Sequence, residues 1–510
     1  MVDKCSVLLI YPPSRTQMHY HCPMGLLMVA AVLEKAGYRI KLLDANAAGN
    51  KQNMNDVVKI VHHFKPDIIG MTLITTLAKE AYKLASLLKN NGSKLIAGGP
   101  HATIIPKEAL EHGFDAVVIG EGESTIEEAI QGLMGQIPME NVKGIAYKDN
   151  EGQIIETKPR EYIEDLDSLP PPARHLVNPL DYGPSYNPQL HTNLFSSRGC
   201  TGRCSFCAGG LFGKKFRFRS AQNILDEIFY LYKNYGTRHF HFVDDAMTTN
   251  KDRVKKICEG INESDMSITF SLMTRFDRVN DDMLALLSQA GCNRIDFGVE
   301  SGHPETLKKI HKPHSVEMVK RVVPLTAKYK IKPLCFFILG FPWEDTNAIQ
   351  NTKELIVELS PYVIFHQAIG SILIPFPGTE IYDKYKHEYN LENWWLKEDR
   401  SFKAPDVNKS SYFESKIFWA GDVININFFN YSDEVKQKII EVFKYMYVHS
   451  LRRFPFPVRV VQWVPLELSQ KMNAFSPRFE KIVFSPVRKM EQIAINTFKL
   501  ASGKTLSKSS

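Results

Sequence analysis

The sequence predicts an α/β protein: an N-terminal doubly wound parallel sheet, then a partial barrel of six β/α units, then a mainly helical C-terminal region. Two observations carry this prediction. Short apolar runs alternate with amphipathic segments up to about residue 140, and the alternation returns near residue 190 after a proline-rich stretch. Such alternation is typical of parallel sheets covered by helices. We expect the boundaries 1–145 for the first domain, 146–189 for a linker, 190–380 for the barrel and 381–510 for the C-terminal region.

Apolar runs without alternation predict five buried parallel strands in the first domain. They are CSVLLIY (5–11), RIKLLDA (39–45), PDIIGMTL (66–73), SKLIAGG (93–99) and DAVVIGEGE (115–123). Helical periodicity predicts helices between the first four of them, in LLMVAAVLEKA (26–36), DVVKIVHHF (56–64) and LAKEAYKLASLL (77–88). In the last of these, Leu77, Ala81, Leu84, Ala85 and Leu88 share one face.

Prolines between residues 150 and 190 forbid regular helix and disfavour central strands, so this stretch is expected to wrap between the domains. Six further apolar runs predict the barrel strands. They are HTNLFSSRG (191–199), HFHFVDDA (239–246), ITFSLMT (268–274), RIDFGVES (294–301), KPLCFFILG (332–340) and FHQAIGSILI (365–374). Helices are expected between them, as in NILDEIFYLYKNYG (223–236), and again after about residue 380.

Composition narrows the class of protein. The chain has 510 residues, of which 44% are hydrophobic and 23% charged, values typical of globular proteins with several domains. No apolar run is long enough to span a membrane, and CSVLLIY is too short for a signal sequence, so a cytoplasmic protein is expected. The net charge of +7 is modest and suggests an anionic partner or surface, without requiring nucleic acid.

Three of the eight cysteines, Cys200, Cys204 and Cys207, lie within eight positions. Scattered cysteines in a chain of this size do not form a disulfide framework, so clustered thiols favour a metal centre. A tetrahedral zinc ion would need a fourth ligand, for example a distant histidine. A four-iron cluster on three thiolates would instead keep one iron open, and that iron could chelate the amino and carboxylate groups of S-adenosylmethionine (SAM).

The CxxxCxxC spacing, with Phe206 before the last cysteine and a strand before the loop, resembles the radical SAM family. Later segments match that family in order: FVDDAMTTN, LMTRFDRV, DFGVESG, FFILGFPWED and PFPGTEIY. The resemblance implies a [4Fe-4S] cluster on the three cysteines and a set of SAM-binding residues. This implied set is Phe206, Asp244, Asp245, Arg275, Glu300 and Ser301.

The first domain is similar to the cobalamin-binding, Rossmann-like domain of one large branch of that family. The similarity rests on PMGLLMVAAVLEKAG, PDIIGMT and two glycine-rich strand ends, where a flat ligand could approach the backbone. The implied contacts are Thr72, Thr75, Gly98, Gly99, Pro100, His101, Gly120, Glu121, Gly122 and Glu123. The DxHxxG motif of classical cobalamin proteins is absent, so loop residues 72–76 or water would meet the lower face of cobalt, and His101 is not assigned to it. A generic flavodoxin-like sheet is the alternative.

Together these features predict a cobalamin-dependent radical SAM C-methyltransferase acting on an sp³ carbon of a hydrophobic small molecule, such as a lipid or tetrapyrrole. A radical SAM cyclase and a non-catalytic cobalamin or redox sensor are the alternatives. The resemblance implies an electron donor such as ferredoxin or flavodoxin. Basic and aromatic stretches near the C-terminus, SLRRFPFPVRVVQWVP and KIVFSPVRKM, suit an amphipathic substrate with an anionic part or a peripheral membrane contact. His366 and Tyr382 are candidates for proton management.

Overall fold

The computed structural model describes residues 5–14, 19, 21–47, 49–89, 91–178, 181–182, 191–213, 215–363, 371–398 and 426–451. Within these ranges no helix combines the length and apolarity that crossing a membrane requires. The predicted candidate His366 and both C-terminal basic and aromatic stretches from residue 452 onwards lie outside the described residues.

The first domain contains a seven-stranded sheet. Its strands are β1 (Ser6–Tyr11), β2 (Arg39–Asp44), β3 (Ile68–Thr72), β4 (Lys94–Gly98), β5 (Ala116–Val118), β6 (Ile145–Lys148) and β7 (Ile154–Glu156). The spatial order is β2-β1-β3-β4-β5-β6-β7, with the first five strands parallel and β6 and β7 antiparallel to their neighbours. The order reverses between β1 and β3, and in such sheets the ligand crevice lies at this reversal.

The five predicted strands are thus present, and the two short strands β6 and β7 extend the sheet past the expected boundary at residue 145. The sheet carries the helices α1 (Met24–Lys35), α2 (Met54–Phe64), α3 (Ala78–Leu88), α4 (Pro100–Ile104), α5 (Pro106–Glu111) and α6 (Ile126–Leu133). One hydrophobic layer includes residues of α1 and α6, and the other includes residues of α2 and α3. The sheet is therefore covered on both faces, as doubly wound folds require.

The segment after β7 lacks long regular elements, as its prolines predict, and it contacts both domains. Ala173 donates a backbone hydrogen bond to Leu27 of α1 at 3.1 Å. The buried Arg174 donates to Glu227 at 2.7 Å and to the Asn193 carbonyl at 2.8 Å, both in the second domain. These bonds join the two domains through the segment that links them.

The second domain is an open barrel of six parallel strands in the order β15-β14-β13-β12-β11-β8. Its strands are β8 (His191–Leu194), β11 (His239–Phe242), β12 (Thr269–Thr274), β13 (Cys292–Glu300), β14 (Lys332–Leu339) and β15 (Ser371–Ile372). A separate antiparallel pair, β9 (Ser197–Arg198) and β10 (Arg217–Phe218), flanks the cysteine loop. The six predicted barrel strands are therefore present.

Helices cover the outer face of the barrel. They are α7 (Ala221–Tyr235), α8 (Lys251–Glu263), α9 (Asp281–Gln289), α10 (Pro304–Lys309), α11 (Val316–Lys328) and α12 (Thr346–Leu359). Beyond the barrel, α13 (Glu380–Tyr385) and α14 (Asp433–Leu451) are helical as expected. Tyr431, just before α14, donates a hydrogen bond to the Gly340 carbonyl and so ties the C-terminal region to the end of β14.

Candidate active site

The cysteine loop begins directly after β9 and turns sharply at Gly199. Gly199 has a φ of +85°, and a Cβ atom there would lie 2.3 Å from the Lys215 carbonyl oxygen. Only glycine accepts both the left-handed backbone and this close approach. The loop then closes on itself through a hydrogen bond of 3.0 Å from the Cys207 amide to the Cys204 carbonyl.

Backbone amides surround the thiols of this loop. Gly202 donates to the Cys200 sulfur at 3.3 Å, and Gly209 donates to the Cys207 sulfur at 3.2 Å. Among the described residues, no three His, Cys, Asp or Glu side chains converge closely enough to hold a single metal ion. A cubane cluster binds each thiolate through a different iron, so its ligands need not converge, and amide donors to sulfur are typical of such clusters. The donor set therefore fits a [4Fe-4S] cluster better than one zinc ion.

Lys312 adds a cation beside these thiols. Its ammonium lies 2.8 Å from a Glu300 carboxylate oxygen and 5.5 Å from the centre of the Phe206 ring. Desolvation raises the pKa of the Cys204 thiol, and the Lys312 charge opposes that effect. Sequence reasoning missed Lys312 because nothing distinguishes it from Lys308 and Lys309, which precede it.

The two aspartates after β11 have different environments. Asp244 is only 1% exposed and accepts hydrogen bonds from the backbone amides and hydroxyls of Ser196 and Ser197. Its carboxylate therefore holds the strand that leads into the cysteine loop and has little capacity left for a ligand. Asp245 is exposed at the surface of the loop. The pKa of its carboxyl is raised, first by desolvation from the protein packed around it and then by the charge of Asp244. Of the two aspartates, Asp245 is therefore the one whose carboxylate is accessible.

The other expected SAM contacts, Arg275 and Ser301, also differ in their surroundings. The Arg275 guanidinium is held by Asp277 through two hydrogen bonds of 2.8 and 2.7 Å, and it also reaches the Thr201 hydroxyl at 3.3 Å. It therefore lies beside the cysteine loop. Ser301 is fully buried, and its hydroxyl pairs with Thr352 at 3.1 Å and Glu344 at 3.4 Å, away from that loop.

Glu300 has an unusual backbone. It carries a φ of +69°, a conformation that is costly for a residue other than glycine. The turn after β14 is fixed by Glu344, whose carboxylate accepts hydrogen bonds from the Gly340 amide at 2.9 Å and the Phe341 amide at 3.2 Å. Burial raises the pKa of the Glu344 carboxyl to about 7. The loops after β13 and β14 are thus joined by buried polar groups behind the site.

A cavity of about 510 Å³ separates the two domains at the carboxyl ends of their strands. From the first domain it is lined by residues that include Thr72, Gly98, Gly99, Pro100, Gly120, Glu121, Gly122 and Glu123. From the second domain it is lined by residues that include Asn193, Ser197, Arg198, Gly199, Asp244 and Asp245. One chamber thus adjoins both the glycine-rich strand ends and the start of the cysteine loop.

The glycines keep this chamber open. A Cβ atom added at Gly98 or Gly120 would meet no other atom within 4 Å. At Gly99, with a φ of +90°, the added atom would lie 2.6 Å from the Thr72 hydroxyl. Side chains at these positions would enter the cavity or clash with its wall, so the wall fits a flat ligand that packs on the backbone, as a corrin ring would.

His101 and Thr75, two of the expected cobalamin contacts, are not among the residues that line this cavity. The His101 ring is fully buried, with Nδ1 3.2 Å from the Thr75 hydroxyl and Nε2 3.0 Å from a Glu108 oxygen. The same carboxylate accepts from Trp395 at 2.9 Å. Both nitrogens are used within the protein, so His101 joins the first domain to the C-terminal region and is not positioned as a cobalt ligand.

Glu121 and Glu123 face the barrel. Glu121 is 5% exposed and accepts from Arg198 at 2.8 Å, from Arg217 at 2.8 Å and from the Ile163 amide at 2.7 Å. Glu123 pairs with Arg198 as well. Both glutamates, which the resemblance places at cobalamin, line the cavity, and their carboxylates form an ion cluster with the strand pair that leads into the cysteine loop.

Comparison with known proteins agrees with this architecture. Residues 16–130 match the B12 binding domain, and residues 194–356 match the radical SAM superfamily. An uncharacterized methyltransferase of Pyrococcus horikoshii is 29% identical over 424 residues, which are 80% of this chain and 89% of that protein. Cytidylyl-2-hydroxyethylphosphonate methyltransferase of Streptomyces wedmorensis is 30% identical over 403 residues, 68% of this chain and 75% of that protein.

The relatives also include a cyclase. The anaerobic magnesium-protoporphyrin IX monomethyl ester cyclase of a Synechocystis species is 30% identical over 363 residues, 69% of this chain and 72% of that protein. Among solved structures, the cobalamin-dependent SAM radical enzyme OxsB, with aqua-cobalamin and SAM bound, shares the fold with a TM-score of 0.67 at 17% identity. That similarity covers 98% of this chain and 75% of the other.

The two matched domains imply cobalamin, SAM and a [4Fe-4S] cluster as cofactors. The relatives are methyltransferases and cyclases, so the chain is an enzyme, and the sensor alternative is set aside. The chain belongs to the family of radical SAM enzymes that carry an N-terminal cobalamin-binding domain.

Proposed function

We propose that this enzyme is a C-methyltransferase that places a methyl group on an unactivated carbon of a hydrophobic small molecule. The cavity between the domains carries this proposal, because its walls come both from the glycine-rich strand ends and from the start of the cysteine loop. When bound, the cluster with one SAM would supply a radical that abstracts hydrogen from carbon, and cobalamin, methylated by a second SAM, would supply the methyl group. A methyl donor and a radical source that adjoin one cavity can act on the same substrate carbon.

The residues of the chain serve this chemistry by positioning. Gly98 and Gly120 leave room for a flat cofactor, and Asp245 offers a carboxylate to an amino group at the opposite wall. The apolar part of the wall, which includes Leu9 and Met24, excludes water from a reactive intermediate. An external one-electron donor such as ferredoxin or flavodoxin is proposed as the reductant.

Ring closure is the second candidate, because the Synechocystis relative named as a cyclase is as similar as the Streptomyces methyltransferase, at 30% identity each. A cyclase would use the same radical and would transfer no methyl group. The two functions therefore differ in the fate of the SAM methyl carbon, which isotopic labelling reports directly.

The experiment is anaerobic reconstitution with iron, sulfide and cobalamin, followed by reductant, methyl-labelled SAM and lipid or pigment extracts. Methyl transfer predicts 5′-deoxyadenosine together with label in a product. Cyclisation predicts 5′-deoxyadenosine with an unlabelled product that has lost hydrogen. Label in no product from any extract, with hydrogen-deficient products present, would overturn the methyltransferase proposal.

Two cysteine variants control the experiment. Cys204→Ala removes one of the clustered thiols and is expected to abolish 5′-deoxyadenosine formation. Cys5→Ala removes a half-buried thiol at the start of β1, far along the chain from the cysteine loop, and is expected to leave it intact. Survival of nucleoside formation in Cys204→Ala would contradict the assignment of the cluster.

A further inference from the structure

The inner face of the barrel is polar across four neighbouring strands. Strand register places Asn193 beside His241, His241 beside Ser271, and Ser271 beside Arg294. Side chains alternate along a strand, and the intervening Phe240, like Phe242, belongs to the hydrophobic layer under the helices. The polar row therefore points to the concave side. Closed eight-stranded barrels fill this side with bulky branched aliphatic residues, whereas the row in this open barrel offers polar groups that a ligand could meet.

Hydrogen bonds organise this row. His241 Nδ1 lies 2.8 Å from the Ser271 hydroxyl, and His239 Nε2 lies 3.4 Å from the same hydroxyl. The His21 ring, from the loop before α1 in the first domain, stacks on the His241 ring with centroids 5.9 Å apart. The row is thus built from both domains, next to the cavity that Asn193 also lines.

Arg294 provides the positive charge. Its side chain is 26% exposed, whereas that of its partner Asp296 is only 4% exposed, so the cation is the accessible member of the pair. The bonds to Asp296, at 2.8 and 3.2 Å, involve Nε and Nη2 and so use two of the five guanidinium N–H groups. Burial, and next the charge of Arg294, lower the pKa of both His21 and His239, so these imidazoles are neutral near pH 7 and Arg294 is the cation of the group.

We propose that Arg294 binds an oxyanion of the substrate, a carboxylate or a phosphoryl group. The guanidinium N–H groups that Asp296 does not use are donors that such oxygens prefer. The inference rests on the proposed function, because it assigns one end of the substrate that the two cofactors would share. It defines the substrate class as an amphipathic molecule whose apolar part lies against the cavity and whose anionic end lies on the inner face of the barrel.

The test measures binding of orthophosphate and of acetate to the reconstituted full-length holoenzyme by isothermal titration calorimetry. Cobalamin and S-adenosylhomocysteine are kept saturating, so that their own sites are filled and no turnover occurs. Arg294→Gln removes the cation and is expected to weaken binding about tenfold or more, because a charge-assisted hydrogen bond is lost. Asp296→Asn removes the competing carboxylate and is expected to tighten binding several-fold.

The opposite signs of these two effects separate recognition from folding, because loss of structure would weaken binding in both variants. Preference for phosphate over acetate would identify a phosphoryl group, and the reverse a carboxylate. No binding of either probe to the wild-type holoenzyme, or equal binding in all three proteins, would overturn the inference. If the enzyme transfers methyl groups but Arg294→Gln binds oxyanions as well as wild type does, the inference is overturned and the proposed function stands. If oxyanion binding changes as expected but no extract receives a methyl group, only the proposed function is refuted.

Discussion

Replacing Glu121 by glutamine should loosen the contact between the first domain and the strand pair that leads into the cysteine loop. The carboxylate is buried and accepts hydrogen bonds from Arg198, from Arg217 and from the backbone of Ile163. Glutamine keeps the shape but removes the charge, and its amide N–H groups face a guanidinium. Arg217, which is only 2% exposed, then loses its ion pair with this carboxylate, whereas Arg198 keeps its ion pair with Glu123.

The magnitude follows from the burial of the group. Removing one partner of a buried ion pair costs about 3–5 kcal/mol. Arg198 keeps its pairing with Glu123, and glutamine still accepts from the Ile163 amide. The expected loss in the free energy of unfolding is therefore at the lower end, about 3 kcal/mol. Equilibrium urea unfolding of the full chain, followed by circular dichroism, measures it.

Glu161→Gln is the matched control. Glu161 also pairs with a cation, Lys143, at 3.3 Å, but its side chain is 79% exposed, so no measurable change is expected. Arg217→Gln, made alone and together with Glu121→Gln, completes a double-mutant cycle. A coupling energy between Glu121 and Arg217 below about 0.5 kcal/mol would refute the reasoning, because directly paired groups do not act additively.

The contribution of Glu121 to the free energy of unfolding should fall as the pH is lowered. Burial alone would raise the pKa of the Glu121 carboxyl, but the hydrogen bonds from Arg217 and Arg198 outweigh it and hold the pKa below its ordinary value of 4.5. A carboxyl whose pKa is lower in the folded state stabilises the fold above its unfolded pKa, and this stabilisation is lost as the pH falls through the folded pKa. The difference between wild type and Glu121→Gln should therefore be constant above pH 5 and shrink below about 4.5. A difference that persists unchanged to pH 3 would contradict the ionic origin.

Three further predictions concern the cavity and its surroundings. Gly99→Ala should destabilise the first domain by about 1–3 kcal/mol in urea unfolding, since its φ is +90°; Gly98→Ala should fold normally yet weaken cobalamin binding, measured by equilibrium dialysis, because its methyl group enters the cavity. Asp244→Asn should lower the stability of the barrel by about 2–4 kcal/mol, because its carboxylate is buried and multiply bonded. Burial raises the pKa of the Glu344 carboxyl from 4.5 to about 7, so the wild-type fold loses stability as the pH rises from about 4.5 to about 7, and the deficit is constant above that. Glu344→Gln should therefore be more stable than wild type at pH 8, by at most about 3 kcal/mol, with the advantage lost below about pH 4.5.

Elements with a strong local signal could be predicted from sequence. The buried strands β1, β3 and β4 are continuous apolar runs, and the spacing of the three cysteines is itself a chemical pattern. The short strands β6 and β7 were missed because they contain only four and three residues and lack a continuous apolar run. Their pairing depends on the exposed edge of β5, which is a property of the folded sheet.

The site residues show more clearly what the sequence alone cannot predict. Asp244 and Asp245 are adjacent and chemically identical and both line the cavity, yet the carboxylate of Asp244 is buried against two serines whereas Asp245 is exposed. The difference arises because successive residues at a strand end point in opposite directions, and only the packed loop determines which direction is the ligand side. His101 in the GGPH turn is similar: its partner Glu108 could be proposed from sequence, but Trp395, nearly three hundred residues away, could not.

The ion cluster around Glu121 explains why a turn rich in glycine also carries two glutamates. The glycines Gly120 and Gly122 line the cavity, while the glutamates between and after them reach across to Arg198. Arg198 is two residues before Cys200, so the same turn contacts the proposed cobalamin cavity with its backbone and the approach to the cluster with its side chains. This turn would then help to set the relative position of the two cofactors, together with the domain contacts of Arg174 and Glu108. Buried, directional ion pairs fix the relative position of two domains more strictly than an apolar contact does. A fixed separation is needed because the two cofactors would act on the same substrate.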